Sequence, residues 1–365
     1  MMMTTLITLL LTGFLPLATP DSNNTETASL KEDSRWLAWE GDKNKAPGKG
    51  KRIVFIAGDE EYRSEEGMPM LARLMNSHGF ECIVLFSQDE ETGEVDPETL
   101  DHIPGLHLLD DADAMVLFLR FRELPDEDMA HIVNFVESGK PVTGFRTATH
   151  AFFYRENPES PHAHWTWNAQ KPAGGFGGHV LGETWVSHHG GHGSQATRGV
   201  IEETNAKHPA LRGVKDVFGP TDVYGIRSLP EDSTILLRGG VVDGMDEDDE
   251  LVTGEQNDPM MPLAWVRERQ MPDGSSQRIF ATTMGTAEDW SSEDLRRLFA
   301  NAMLWQLQEE DAIPPGGLEA PMIGPWEPTP FGFGTHKRGY KPEDYRNGSP
   351  WAKTETSSRP SEDAQ

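Results

Sequence analysis

The densest group of reactive side chains is the run Trp185-Val186-Ser187-His188-His189-Gly190-Gly191-His192-Gly193. Imidazole is both a proton carrier near neutral pH and a good metal ligand. Three histidines in five positions among glycines therefore mark the loop. Three readings fit it: hydrogen bonds to a substrate or acid/base work by His188, His189 and His192, a divalent metal site, and a polar loop without chemistry. The run is not a helical His-x-x-x-His motif, so a metal would need a carboxylate or a further imidazole from elsewhere. His162, His164 and His179 precede it, with Trp165, Trp167 and Trp185 alongside. These indoles would either stack on sugar faces or fill the loop's own small core.

A second set follows from the rule that ligands of an open parallel sheet bind beyond the carboxyl ends of its strands. Predicted strand ends carry Gly58-Asp59-Glu60-Glu61-Tyr62-Arg63, Arg120-Phe121-Arg122-Glu123 and Arg146-Thr147-Ala148-Thr149-His150. Arginines ending two adjacent strands repel unless an anionic or polar group lies between them, and Asp59, Glu60 or Glu61 fits that place. A structural ion-pair network is the alternative to substrate binding. Asp59, Glu61, Arg120, Arg122, Arg146 and His150 are expected to converge on one cleft. The histidine loop is expected to fold over that cleft as a lid, bringing a histidine within reach of His150.

Other chemistries lack their signatures. There is no Gly-x-Ser-x-Gly, and the fourth strand's turn offers Thr147 and Thr149 rather than Ser or Cys. The carboxylates after Gly58 would repel a pyrophosphate, and no phosphate-binding loop is present. Cys82, the one cysteine, sits in an apolar run, so an intramolecular disulfide and a cysteine zinc site are excluded.

The elements that must position these residues are read from hydrophobic pattern. Uninterrupted apolar runs at 53–57, 82–86, 114–119 and 141–145 alternate with amphipathic helices after Gly58 and over 125–138. That alternation predicts a parallel sheet covered on both faces. Residues 151–193 lose all periodicity and form a His/Trp/Gly-rich insertion. Strands return at 199–202, 233–238, 262–267 and 278–283, followed by a long helix with Ser291 as cap and Asp294 completing a capping box.

One domain is expected over 51–310. Residues 21–50 read as a polar linker or arm, 311–340 as a Pro/Gly-rich wrapping tail and 341–365 as disordered. Residues 1–20 are uncharged with an apolar core at 6–17, too short to span a bilayer but suited to a signal peptide. A periplasmic or secreted protein without membrane attachment after its removal is expected. Lys plus Arg is 32 against 60 for Asp plus Glu, a formal charge of -28, which argues against nucleic acid as a partner.

At these residues the chain resembles the ThuA-like family, named for trehalose utilisation. The marks are the segment from Gly139 to His150, the Leu181-Gly182-Glu183 to His188 stretch, Thr221-Asp222-Val223-Tyr224, Pro262-Leu263-Ala264-Trp265, the strand over 278–284 and the final helix. The resemblance runs from about Arg52 to Gln308. It implies a doubly wound, flavodoxin-like α/β fold of the class I glutamine-amidotransferase-like type. It also implies a role in carbohydrate catabolism, with trehalose-like, keto- or acidic sugars, small or oligomeric, as substrates. The amidotransferase cysteine has no counterpart, so glutamine hydrolysis is not expected. Arg146 stands where the family commonly has a histidine.

The resulting assignment has His150, His188, His189 and His192 exchanging protons. Asp59, Glu61, Tyr62, Arg120, Arg122, Arg146, Thr147, Trp185, Asp222 and Tyr224 hold the sugar. No cofactor is expected, with a divalent metal at the histidines as the alternative. A non-catalytic carbohydrate-binding protein with the same cleft is the second functional reading.

Overall fold

The computed structural model describes residue 30 and residues 33–352; the signal-peptide reading falls outside them. Ten strands form one sheet: β1 (Leu37–Trp39), β2 (Arg52–Gly58), β3 (Glu81–Phe86), β4 (Ala114–Leu119), β5 (Val142–Phe145), β6 (Thr197–Ile201), β7 (Val217–Gly219), β8 (Ser233–Val241), β9 (Met261–Gln270) and β10 (Ser276–Thr282). Their order is β1-β3-β2-β4-β5-β10-β9-β8-β6-β7. The block β3-β2-β4-β5-β10 is parallel.

Beyond β10 every pairing is antiparallel, as is that of β1 with β3. The fold is thus α/β on a mixed sheet, and the expectation of a parallel sheet holds for half of it. For β9 and β10 the cause is connection length. Only Met271 to Ser275 separate β9 from β10, and so short a link joins antiparallel neighbours, whereas parallel strands need a crossover of a dozen residues or more.

Side chains alternate across each strand, and the central strands are buried on both faces. Ile53, Phe55 and Ala57 of β2 share a core with helices α1 (Ser64–Ser77) and α3 (Glu293–Gln306). Val54 and Ile56 point the other way, toward α2 (Asp126–Glu137) and the insertion's Trp165, Phe176 and Leu181. Helix α3 begins one residue later than expected. Ser292 is its cap, accepting from the Leu295 N–H at 3.4 Å, while Ser291 closes a preceding 3₁₀ turn. The Asp294 carboxylate accepts instead from the N–H groups of Lys215 and Asp216, at 2.8 and 2.9 Å.

Both terminal readings need correction. The arm is not loose from residue 33 onward, because β1 pairs with the open edge of β3 and buries Trp36 and Leu37. Nor is the whole of 341–365 disordered. Residues 341–352 pack on the body, with Tyr345 buried 5.9 Å from the Phe86 ring. Arg73 explains the docking. Its guanidinium is buried and donates to the carbonyl of Tyr345 in this segment and to that of Ile323 in the stretch before it, both at 3.0 Å.

Candidate functional site

Among the described residues, three of the four non-glycine positions with a positive φ stand at or just after the carboxyl ends of parallel strands: Arg63 (60°), Phe121 (52°) and Arg146 (40°). Such conformations cost on the order of 1–3 kcal/mol each and cluster where function imposes them. Here they turn the chain abruptly after β2, β4 and β5 and aim side chains over the sheet's end. Gly58 closes β2 for a steric reason, since a Cβ there would come within 2.6 Å of Ser87 Oγ.

Arg146 is the centre. Its guanidinium is fully buried, with its carbon 4.2 Å from the ring centres of both Tyr62 and Tyr224. It donates to Asp222 Oδ1 at 2.9 Å, to the carbonyls of Thr283 at 2.7 Å and Asp222 at 3.1 Å, and to the Tyr62 hydroxyl at 3.2 Å. Removing one partner of so buried a pair costs about 3–5 kcal/mol. Burial alone would push the Asp222 carboxyl up. The Arg146 charge and the hydrogen bonds from His188 and His192 outweigh it and hold the group well below the usual carboxylate range.

Asp222 in turn orients two imidazoles. His188 donates from Nδ1 to Oδ2 at 2.7 Å, and His192 from Nδ1 to Oδ1 at 3.0 Å. The two rings lie 4.6 Å apart, and His192 Nε2 faces Glu61 Oε1 at 3.3 Å. Burial, reinforced by Asp59, raises the Glu61 carboxyl above its ordinary value despite Arg120 and Arg146 nearby. Asp222 and Glu61 thus sit on either side of the same imidazole with proton affinities driven apart, the pattern that separates acid from base among neighbouring carboxyls.

The histidine loop does fold against the sheet's end. Its anchors are the N–H groups of His189 and Gly190, both donating to the Val223 carbonyl.

The remaining residues divide. Asp59 is taken up by structure, accepting from the Glu61 N–H at 2.8 Å, from Thr147 Oγ1 at 2.6 Å and from the Tyr62 N–H. Arg122 is fully buried and bonds Glu60 and the carbonyls of Gly58, Pro97 and Thr99. Arg120 pairs with Glu60 and reaches toward Glu61 Oε2 at 4.0 Å.

His150 is also buried. Desolvation, together with the charges of Arg120 and Arg146, holds it well below the ordinary histidine value, hence neutral. The Trp185 ring lies 5.7 Å from the His150 ring and 6.0 Å from that of His188. His189 is directed away, its Nε2 at 2.7 Å from the Gln256 carbonyl.

Several contributors have no signal in the sequence. Asp289, fully buried, accepts from the N–H of Gly285 at 2.8 Å and from Thr221 Oγ1 at 2.7 Å, bracing the turns that carry Asp222 and the Thr283 carbonyl. The tail supplies a wall. Phe331 lies 5.6 Å from the Tyr62 ring and 5.5 Å from that of His192, and Phe333 packs over the Arg120 guanidinium at 4.9 Å. Arg63 holds this strap, donating to the Gly332 carbonyl at 2.8 Å and to Thr329 Oγ1 at 3.2 Å.

What fold and site define is a mixed-sheet α/β protein carrying a buried arginine–carboxylate–imidazole network at the ends of its parallel strands. The sequence profile of the ThuA family, described as trehalose utilisation, matches residues 51–306, and the chain belongs to that family. Among solved structures it is similar to a protein described as ThuA-like from Parabacteroides merdae ATCC 43184, at 16% identity over 71% of this chain and 90% of that one, with a TM-score of 0.45. A second described in the same way, from Bacteroides uniformis ATCC 8492, gives 14% identity over 70% and 90%, with a TM-score of 0.44. Among curated proteins none matches.

Proposed function

We propose that this ThuA-family protein acts on a small sugar or oligosaccharide of trehalose-like, keto or acidic type by proton transfer through His188 and His192. The observation that carries the reading is the shared carboxylate. Asp222 fixes the Nδ1–H of both imidazoles, which leaves each Nε2 as the basic nitrogen. His188 is then suited to take a proton from a carbon acidified by a neighbouring carbonyl or from a hydroxyl. The raised Glu61 carboxyl, beside His192, is suited to return one.

Elimination, hydrolysis and isomerisation all use that pair. Trp185 and Phe331, both part-exposed, offer apolar faces to the ring carbons of a sugar, while Tyr62 and Tyr224 are buried against Arg146 and hold it in place. The parallel strand order, reversing between β3 and β4, supports reading the fold as doubly wound and flavodoxin-like. The uncharged residues 1–20 support a periplasmic or secreted setting.

A second reading, a divalent cation, is favoured by one observation. Ligand atoms of His188, His192 and Asp222 lie within 4.8 Å of one another, a nitrogen-rich set that borderline ions accept.

The test is to incubate the purified full chain with trehalose, its 3-keto derivative and acidic sugars and to follow products chromatographically. His188→Ala and His192→Ala should each lower turnover more than about 100-fold with an unchanged melting temperature, while His189→Ala stays near wild type. Binding without product in the wild type would favour the accessory reading. Full activity in both loop variants would end the proton-transfer proposal, and metal lost from them by elemental analysis would replace it with the cation.

A further inference from the structure

Outside that site, the most unusual side chain is His336. It lies in the tail after Phe333, its side chain is wholly buried, and neither ring nitrogen has a hydrogen-bond partner among the described residues. A buried imidazole without partners loses its hydration for nothing in return.

Asp96 and Glu98 face it from the segment that follows β3. Ligand atoms of these three residues lie within 4.8 Å of one another. His336 and Asp96 border a depression of about 220 Å³ to which Asp89 and Glu94 add negative charge and Arg338 a positive one.

We propose that His336, Asp96 and Glu98 form a binding site for a borderline divalent cation, Zn²⁺ or Mn²⁺, which pins the C-terminal strap to the body of the protein. The key distance is His336 Nε2 to Asp96 Oδ1, 3.6 Å. That is too long for a hydrogen bond. It is close to the edge of a coordination sphere, because two donors each about 2.1 Å from an ion stand about 3–3.5 Å apart at tetrahedral or octahedral angles.

The carboxylates are held ready. Asp96 Oδ1 accepts the backbone N–H of Glu98 at 2.9 Å, which holds the Asp96 carboxylate in place at the start of the turn. Glu98 Oε2 meets Arg338 at 2.7 Å, and its other oxygen remains for the ion. One imidazole and two carboxylates neutralise a divalent charge and suit Zn²⁺ or Mn²⁺ better than a soft ion.

The strap gains a cross-link at a point where the Val95 N–H to Tyr340 carbonyl bond at 2.8 Å and the Arg338–Glu98 pair also fasten it. The site stands independently of the sugar reading, since none of its three ligands belongs to the Arg146–Asp222 network.

The experiment uses chelator-stripped full-length wild type, His336→Ala, Asp96→Asn and His188→Ala, each titrated calorimetrically with Zn²⁺ or Mn²⁺ alone. Trypsin cleavage after Lys337 and Arg338 is followed with and without the ion. The ion should slow cleavage in wild type and in His188→Ala. It should fail to do so in His336→Ala and Asp96→Asn, with one binding step weakened more than the 10- to 100-fold that an outer-shell change produces. Equal binding and equal protection in wild type and His336→Ala would overturn the site. So would a wild type whose cleavage neither ion slows, a result that needs no variant to fold. A binding step lost only in His188→Ala would place the ion at the other histidines and also overturn it.

Discussion

Glu65 shows how one buried group sets a pH profile. It opens α1 with its side chain in the core, and neither carboxyl oxygen has a hydrogen-bond partner among the described residues. Burial, with Glu66 beside it, raises its pKa from 4.5 to about 8. A carboxyl whose folded value lies above its unfolded one binds more protons in the native state, so its contribution is complete below pH 4.5 and is lost as pH rises toward 8. Glu65→Gln should therefore leave the melting temperature unchanged near pH 5. Near pH 8 it should raise it by about 1–3 °C, on the order of 1 kcal/mol. A thermal melt series across that range checks it, and equal slopes for variant and wild type would contradict the assignment. Asp222 behaves with the opposite sign. Held low chiefly by Arg146 against the cost of burial, its contribution is present above the ordinary aspartate value and is lost only in strong acid.

At the scale of elements, the strap that carries Phe331 and Phe333 is where a substrate contact can be separated from stability. Phe333 is 56% exposed, yet it covers the Arg120 guanidinium beside Glu61. On the sugar reading, Phe333→Ala should weaken substrate binding about 2- to 10-fold, the worth of one aromatic contact. Turnover at saturation and the melting temperature should hold, as steady-state kinetics and a melt would show.

Legibility also divides by element. The runs at 53–57, 82–86, 114–119 and 141–145 revealed β2 to β5 because strands buried on both faces have no polar alternation to confuse them. The arginines and carboxylates at their ends were readable by the same logic. The direction of β6 to β9 was not, because strand polarity is set by connection geometry rather than by the strand's own residues. The division of labour among the histidines was equally hidden. His188 and His192 share Asp222 while His189 turns to Gln256, a difference created by the backbone path through Gly190 and Gly191.

For the molecule as a whole, a formal charge of -28 means that compaction gathers like charges. Screening shortens from about 30 Å at 0.01 M salt to about 10 Å at 0.1 M. The melting temperature should rise by a few degrees over that interval, about 1 kcal/mol or more of relieved repulsion. A fall would mean that the surface arginine–carboxylate pairs outweigh the net field.

The sheet itself has a further consequence. Its two outermost strands, Leu37–Trp39 and Val217–Gly219, are three residues each. A long open edge is a template on which a neighbour's backbone can crystallise into a continued ladder, the first step toward fibrous aggregates. Here the unpaired amide and carbonyl groups at either margin run out within a single hydrogen-bonded step. Among the described residues, the ten strands therefore end in edges too short to be a good template for an eleventh from another chain.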